Sequence, residues 1–373
     1  MRDTVLNTTV PVSLRARNCG HAPSLSADGS IVLFYASNDR NISTGGCDGG
    51  FDVYAWNRLT GLSTNVSGGS QRAGQPESHA QPAAVSPDGR FVYFTIDRDL
   101  IPEDRNGAKD IYVCDLQTGT LRLVSASVLV NPRGGGDSTL RPRYWFNPNN
   151  DSVSRDGRYV VFGSDATNLV ANPQGNDSGI FIRDTVSNST IAVPKAATAP
   201  AGTNYTTNAH ISPDGRFVIF QSLPVNAANQ YGNTQVYCFD RESNNTQLVS
   251  HTVPFSVGPR SGFMPLGISP DGRYVTYGLQ FFTGYHTAGV YVRDMQTGCL
   301  TTLYEENNND SRDFAMVAPL TGGVIFNTNW ALLPTDSNGV PDIYVFDPRP
   351  AALTGEGLTC GLTPPRRRER VQA

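Results

Sequence analysis

Two seven-residue stretches carry enough side-chain oxygens to hold a hard cation. "DRNGAKD", Asp104–Asp110, and "DSNGVPD", Asp336–Asp342, share the spacing D-x-N-G-x-x-D. Asp104, Asn106 and Asp110 in the first, and Asp336, Asn338 and Asp342 in the second, are therefore candidate ligands for Ca²⁺, which takes six to eight oxygens. "CDGGFD", Cys47–Asp52, is a weaker relative. Neither stretch is the helix-loop-helix calcium loop. That loop needs a carboxylate five residues before its glycine, where this chain has Pro102 and Pro334. The other reading is an Asx turn that opens the following strand. No other cofactor is implied.

The remaining reactive residues do not assemble into a catalytic set. There is no G-x-S-x-G elbow and no C-x-x-C pair. Of the five histidines, His21, His79 and His210 precede copies of a recurring phrase at unequal offsets of five, seven and two residues from its serine. Unequal offsets argue against convergence on one metal. The chain therefore reads as non-enzymatic. Recognition chemistry is better represented. "RPRYWFNPNN", Arg141–Asn150, and "LQFFTGYH", Leu279–His286, concentrate residue types found at interface hot spots. Arg143, Tyr144, Trp145, Phe281, Phe282 and Tyr285, with His210, are the candidate binding residues. A protein partner is the first expectation. Flat aromatics beside an arginine also suit a sugar ring, so a glycan is a second.

Composition narrows the partner classes. The net charge of −4 over 373 residues provides no basic field for a nucleic acid. No apolar run approaches the roughly 18 residues of a membrane span. The opening "MRDTVLNTTVPVSL" lacks the apolar centre of a signal peptide. An extracytoplasmic setting, on a surface, particle or filament, is nevertheless expected for such a platform. Of six cysteines, Cys114 and Cys238 fall within expected strands and read as buried thiols. Cys19 and Cys47 could pair in an oxidising compartment, and the states of Cys299 and Cys360 are left open.

The elements that position these groups come from the recurring phrase. "VSPDGRFVYF" (Val85–Phe94) returns as "ISPDGRFVIF" (Ile211–Phe220), "ISPDGRYVTY" (Ile268–Tyr277), "VSRDGRYVVF" (Val153–Phe162) and "LSADGSIVLF" (Leu25–Phe34). The D-G pair signals a turn between two runs of β-formers. A later strand ends in Asp or Asn ("DIYVCD", "IFIRD", "QVYCFD", "GVYVRD", "DVYAWN"), and a tight turn leads to a polar fourth strand. Each unit is thus four antiparallel strands. The phrase's Asp and Gly serve the turn, and its Arg is expected across the sheet or on a neighbouring turn. A degenerate sixth copy, Val317–Phe326, has Leu320 in place of the aspartate.

Six four-stranded units make an all-β fold, a six-bladed β-propeller. The expected blades cover about 18–67, 68–127, 128–195, 196–252, 253–305 and 306–350 within a single domain, 1–350, followed by a tail, 351–373. "RDTVLNTTV" from Arg2 resembles "RDTVSNSTI" from Arg183, and the sixth unit lacks a clear fourth strand. Thr8–Arg15 is therefore expected to supply that strand and close the ring. If it instead enters a neighbouring molecule, the chain self-assembles by strand addition.

The phrase S-P-D-G-R-[FY]-[VI], followed by [DG]-[IV]-[YF]-V-x-D-x-x-T-G, resembles the WD-like repeats of TolB-like six-bladed propellers. The resemblance runs from about Asn18 to Pro348. It implies the fold strongly and function weakly, because such propellers serve as protein-binding scaffolds, peptidase accessory domains and polysaccharide lyases. A metal-assisted lyase using His79 and His210 is the catalytic alternative that the resemblance raises.

Overall fold

A computed structural model of the chain describes residues 2–3, 7–12, 24–37, 51–67, 80–126, 138–139, 152–164, 166, 168–170, 179–194, 206–222, 234–251, 261–281, 286–305, 318–320, 323–328 and 342–346. Regular structure among them is all strand. Contacts divide the chain into two units, Met1–Ala192 and Val193–Ala373.

The first unit opens with a hairpin of β1 (Arg2–Asp3) and β2 (Thr8–Thr9). Three four-stranded antiparallel sheets follow, each in chain order. They are β3 (Ser24–Leu25), β4 (Ile31–Ser37), β5 (Phe51–Asn57) and β6 (Ser63–Asn65); β7 (Gln81–Val85), β8 (Phe91–Ile96), β9 (Asp110–Asp115) and β10 (Thr120–Leu123); and β11 (Ser138–Thr139), β12 (Tyr159–Ser164), β13 (Gly179–Asp184) and β14 (Ser189–Ala192). The second unit holds β15 (Thr206–Ile211), β16 (Phe217–Ser222), β17 (Gln235–Asp240) and β18 (Asn245–Leu248), then β19 (Ser261–Ile268), β20 (Tyr274–Phe281), β21 (His286–Asp294) and β22 (Leu300–Glu305). Its last sheet is described with three strands, β23 (Ala318–Leu320), β24 (Gly323–Thr328) and β25 (Asp342–Phe346).

The N-terminal segment forms the strand, turn and strand that its likeness to the Arg183 segment implied: Thr8 pairs with Asp3 and Thr9 with Arg2. The register copies that of β13 and β14, where Ser189 pairs with Asp184 and Thr190 with Arg183. Asn7 and Asn188 take the same left-handed turn position, with φ of 54° and 60°. A short loop closes at small entropic cost, so this sequence keeps its own hairpin together.

The phrase builds the same turn five times. The serine hydroxyl donates to the aspartate Oδ1, as from Ser86 to Asp88 (2.5 Å) and from Ser269 to Asp271 (2.6 Å). That oxygen also accepts the N–H two residues on, from Arg90 at 3.0 Å and Arg273 at 3.1 Å. The next N–H returns to the serine Oγ, from Phe91 at 2.8 Å. The glycine sits at positive φ, 72° for Gly89 and 71° for Gly272, where a side chain is strained.

That glycine also sets how neighbouring sheets pack within a unit. A Cβ on Gly272 would lie 2.2 Å from the Phe217 ring of the preceding sheet, and one on Gly89 would lie 2.7 Å from Ile31. Gly157 lies against Tyr93, whose hydroxyl donates to the Gly157 carbonyl at 2.7 Å. The apolar cores lie between these sheets. Leu33, Val53, Phe94 and Tyr112 are fully buried in one cluster, and Phe263, Val275, Tyr277 and Tyr291 in another.

The phrase's arginine bonds a neighbouring turn, one of its two expected roles. It forks onto the aspartate ending the third strand of its own sheet. Arg90 meets Asp115 at 2.8 Å, Arg158 meets Asp184 at 2.7 Å, Arg216 meets Asp240 at 2.8 Å and Arg273 meets Asp294 at 2.8 Å. Each guanidinium also lies over the aromatic ring that follows it, at 4.7–5.0 Å from Phe91, Tyr159, Phe217 and Tyr274. In the first sheet both partners change together, to Ser30 and Asn57.

Candidate functional site

The loop carrying Asp104, Asn106 and Asp110 joins β8 to β9, and its oxygens are largely engaged. Asp110 Oδ1 accepts from Ser125 Oγ at 2.5 Å, and its Oδ2 accepts from Asn106 Nδ2 at 2.7 Å. Ser125 Oγ also receives the Ile111 N–H at 3.0 Å. The same anchor recurs where β5 and β17 begin. Asp52 accepts from Ser67 Oγ at 2.9 Å, and Gln235 Oε1 accepts from Ser250 Oγ. A neutral glutamine at the equivalent place identifies this contact as a sheet anchor that needs no charge. Asp104 is buried; its Oδ2 accepts from Tyr112 Oη, and its Oδ1 meets no hydrogen-bond partner. Burial raises both carboxyls, Asp110 to about 6. Among the described residues no group of three or more His, Cys, Asp or Glu is placed to hold a metal ion. Asp336 and Asn338 lie outside the described residues, and Asp342 opens β25 opposite Thr328.

The expected recognition loops fall largely outside the description. Arg143, Tyr144, Trp145, Phe282 and Tyr285 are not among the described residues, nor is His79. Phe281 ends β20, its backbone opposite His286. His210 lies in β15 and is buried, 4% exposed, so its imidazole is not presented to solvent.

Two polar groupings went unassigned in the sequence. His251 packs on Phe263, Tyr277 and Tyr291 at 4.6–6.0 Å, with Nδ1 3.0 Å from the Tyr277 hydroxyl. Burial lowers its pKa, and the Arg293 charge lowers it further. The second grouping lies beside His210. Asn208 Nδ2 donates to Gln221 Oε1 at 3.1 Å. Gln221 Nε2 donates to Thr234 Oγ1 at 2.7 Å and to the Phe263 carbonyl at 2.8 Å. One signal for it was readable: Gln221 stands where the other phrases continue with Tyr35, Thr95, Gly163 and Gly278.

Comparison with known proteins bears on the fold. The chain is similar to a prolyl endopeptidase structure at 12% identity and a TM-score of 0.51, covering 83% of this chain and 39% of that one. The fold is a β-propeller, built from repeated four-stranded antiparallel sheets. TolB from Acinetobacter baumannii is 16% identical with a TM-score of 0.43, over 76% of this chain and 54% of that chain. The β-propeller domain of the Trilobed protease from Pyrococcus furiosus is 13% identical with a TM-score of 0.49, over 88% and 81%. The chain thus spans about half the length of that TolB and about two fifths of the endopeptidase. No protein-family model and no curated protein sequence matches it.

Proposed function

We propose that this propeller is a rigid, non-enzymatic interaction platform that works outside the cytoplasm and binds a protein partner through its loops. The observation that carries this reading is the use made of the repeat's reactive side chains. The Ser, Asp and Arg of the phrase close the turn and tie the second strand to the third. Those groups serve the scaffold, and recognition falls to the loops between strands, where such folds carry their variable chemistry. Trp145, Tyr144, Arg143, Phe281, Phe282 and Tyr285 supply the hot-spot types there. The disulfide at Cys299 supports an oxidising compartment. No helix among the described residues is long and apolar enough to cross a membrane.

The test is crosslinking of the intact chain in its source cells, identification of the crosslinked protein, and titration of that protein against variants. Trp145→Ala and Phe282→Ala should each weaken binding by at least about tenfold, as for interface anchors. Unchanged affinity in both variants would remove the loops from the site.

A further inference from the structure

His251 joins two neighbouring sheets of the second unit. The residue before it is fixed to the β15–β18 sheet, where Ser250 Oγ donates to Gln235 and receives the Val236 N–H at 3.1 Å. Its own ring lies on the β19–β22 sheet, against Phe263 of β19, Tyr277 of β20 and Tyr291 of β21, with centroids 4.8, 6.0 and 4.6 Å away. Those three rings belong to the core shared by the two sheets, with Ile219, Val236, Cys238 and Val249 from the first of them. The imidazole is half-buried, so it meets that core and keeps access to solvent.

Neither the serine anchor nor the phrase requires this pairing. Gly68 and Ala126 follow the matching anchors Ser67 and Ser125. The phrase ends in Phe34, Phe94, Phe162 and Phe220 in the other copies and in Tyr277 here. The added hydroxyl is the atom that meets His251 Nδ1, at 3.0 Å. A histidine and its hydroxyl partner thus enter together at one junction.

The contact suits a neutral imidazole. Burial holds the Tyr277 hydroxyl protonated, so it can donate to Nδ1 while that nitrogen carries no proton. A proton on the ring turns Nδ1 into a donor, sets a cation against a buried apolar core, and adds it to the charge of Arg293 on β21. Among the described residues, Tyr277, Tyr291 and Arg293 are the titratable groups that face the ring, and none of them is an anion that would offset its charge.

We infer that His251 is an acid-released latch between these two sheets: neutral, it seats among Phe263, Tyr277 and Tyr291; protonated, it leaves them for water and loosens the junction. The latch is independent of the loop surface proposed above, and its failure leaves that reading standing.

The test uses the full chain with isotope-labelled histidine and follows each imidazole by NMR. The His251 resonance is the one absent from His251→Phe, or from His251→Gln should the phenylalanine variant not fold. Its titration midpoint should lie below the ordinary value of about 6.5. Hydrogen exchange in β18 and β19, corrected for its intrinsic pH dependence, should quicken in the parent relative to the variant. The expected ratio grows by up to about tenfold for each pH unit below about 6.5. The comparison cancels Asp110, which titrates at about 6 with the opposite sign in both proteins. A midpoint at or above about 6.5 would show that the rings hold the cation, and would overturn the latch. Exchange that stays equal in parent and variant, or that quickens more in the variant, would overturn it as well.

Discussion

The arginine of four of the five phrases does three things with one side chain. It forks onto a carboxylate, covers an aromatic ring, and ties the second strand to the third. Lysine reproduces the charge but neither the fork nor the stacking. Arg158→Lys should therefore lower the urea midpoint, and a fall equal to that of Arg158→Ala would show that the charge itself contributes nothing. The paired carboxylates also predict an acid limit. The Arg90 fork holds Asp115 at about 2, and the Arg158 and Arg216 forks hold Asp184 and Asp240 lower still. A carboxyl depressed in the folded state contributes stability above its unfolded value near 4, and that contribution fades as pH falls through the folded value. The denaturation midpoint should drop between about pH 4 and pH 2. Asp115→Asn should flatten part of that drop; an unchanged profile would exclude the fork as its source.

At the scale of the element, the D-G turn is both a bend and a packing surface. Two glycines with nearly equal φ separate these roles. Gly119 has φ of 71° and open space around its Cβ position, whereas Gly272, also at 71°, faces the Phe217 ring at 2.2 Å. Gly119→Ala should cost about 1 kcal/mol for the left-handed backbone alone. Gly272→Ala adds a steric clash between sheets and should cost about 3 kcal/mol or more. Equal losses in chemical denaturation would mean that the Phe217 ring moves aside freely. The phrase made the turn legible in advance, because Asp and Gly at that spacing have few other uses. The ring pressing on the glycine was not legible, because its residue belongs to another copy 55 positions away in the chain, Phe217 to Gly272.

At the scale of the molecule, the repeat carries both fold and core, and covalent chemistry adds to them. Cys114 and Cys238 are buried free thiols, the latter pushed up to about 12 by burial, while Cys299 is disulfide-bonded. Native protein should leave Cys114 and Cys238 unmodified by thiol reagents. Reduction should lower the denaturation midpoint, since a crosslink restricts the unfolded chain. Peptide mapping without reductant should place Cys299 in a crosslinked peptide; a free Cys299 would withdraw the support for an oxidising compartment.

The sequence by itself determined five of the sheets: their four strands, their antiparallel order, and the turns between them. Those features depend on neighbours in the chain, and five copies of one phrase repeat the same local information. Tertiary structure decided what the polar residues do. Arg90 and Asp115 are 25 positions apart, and Asp110 proved to be an anchor answered elsewhere by Gln235. The Asn208 grouping spans two sheets and closes on a backbone carbonyl at Phe263. Hydrogen bonding depends on distances between atoms remote in sequence, and residue type and spacing do not encode those distances until the sheets pack.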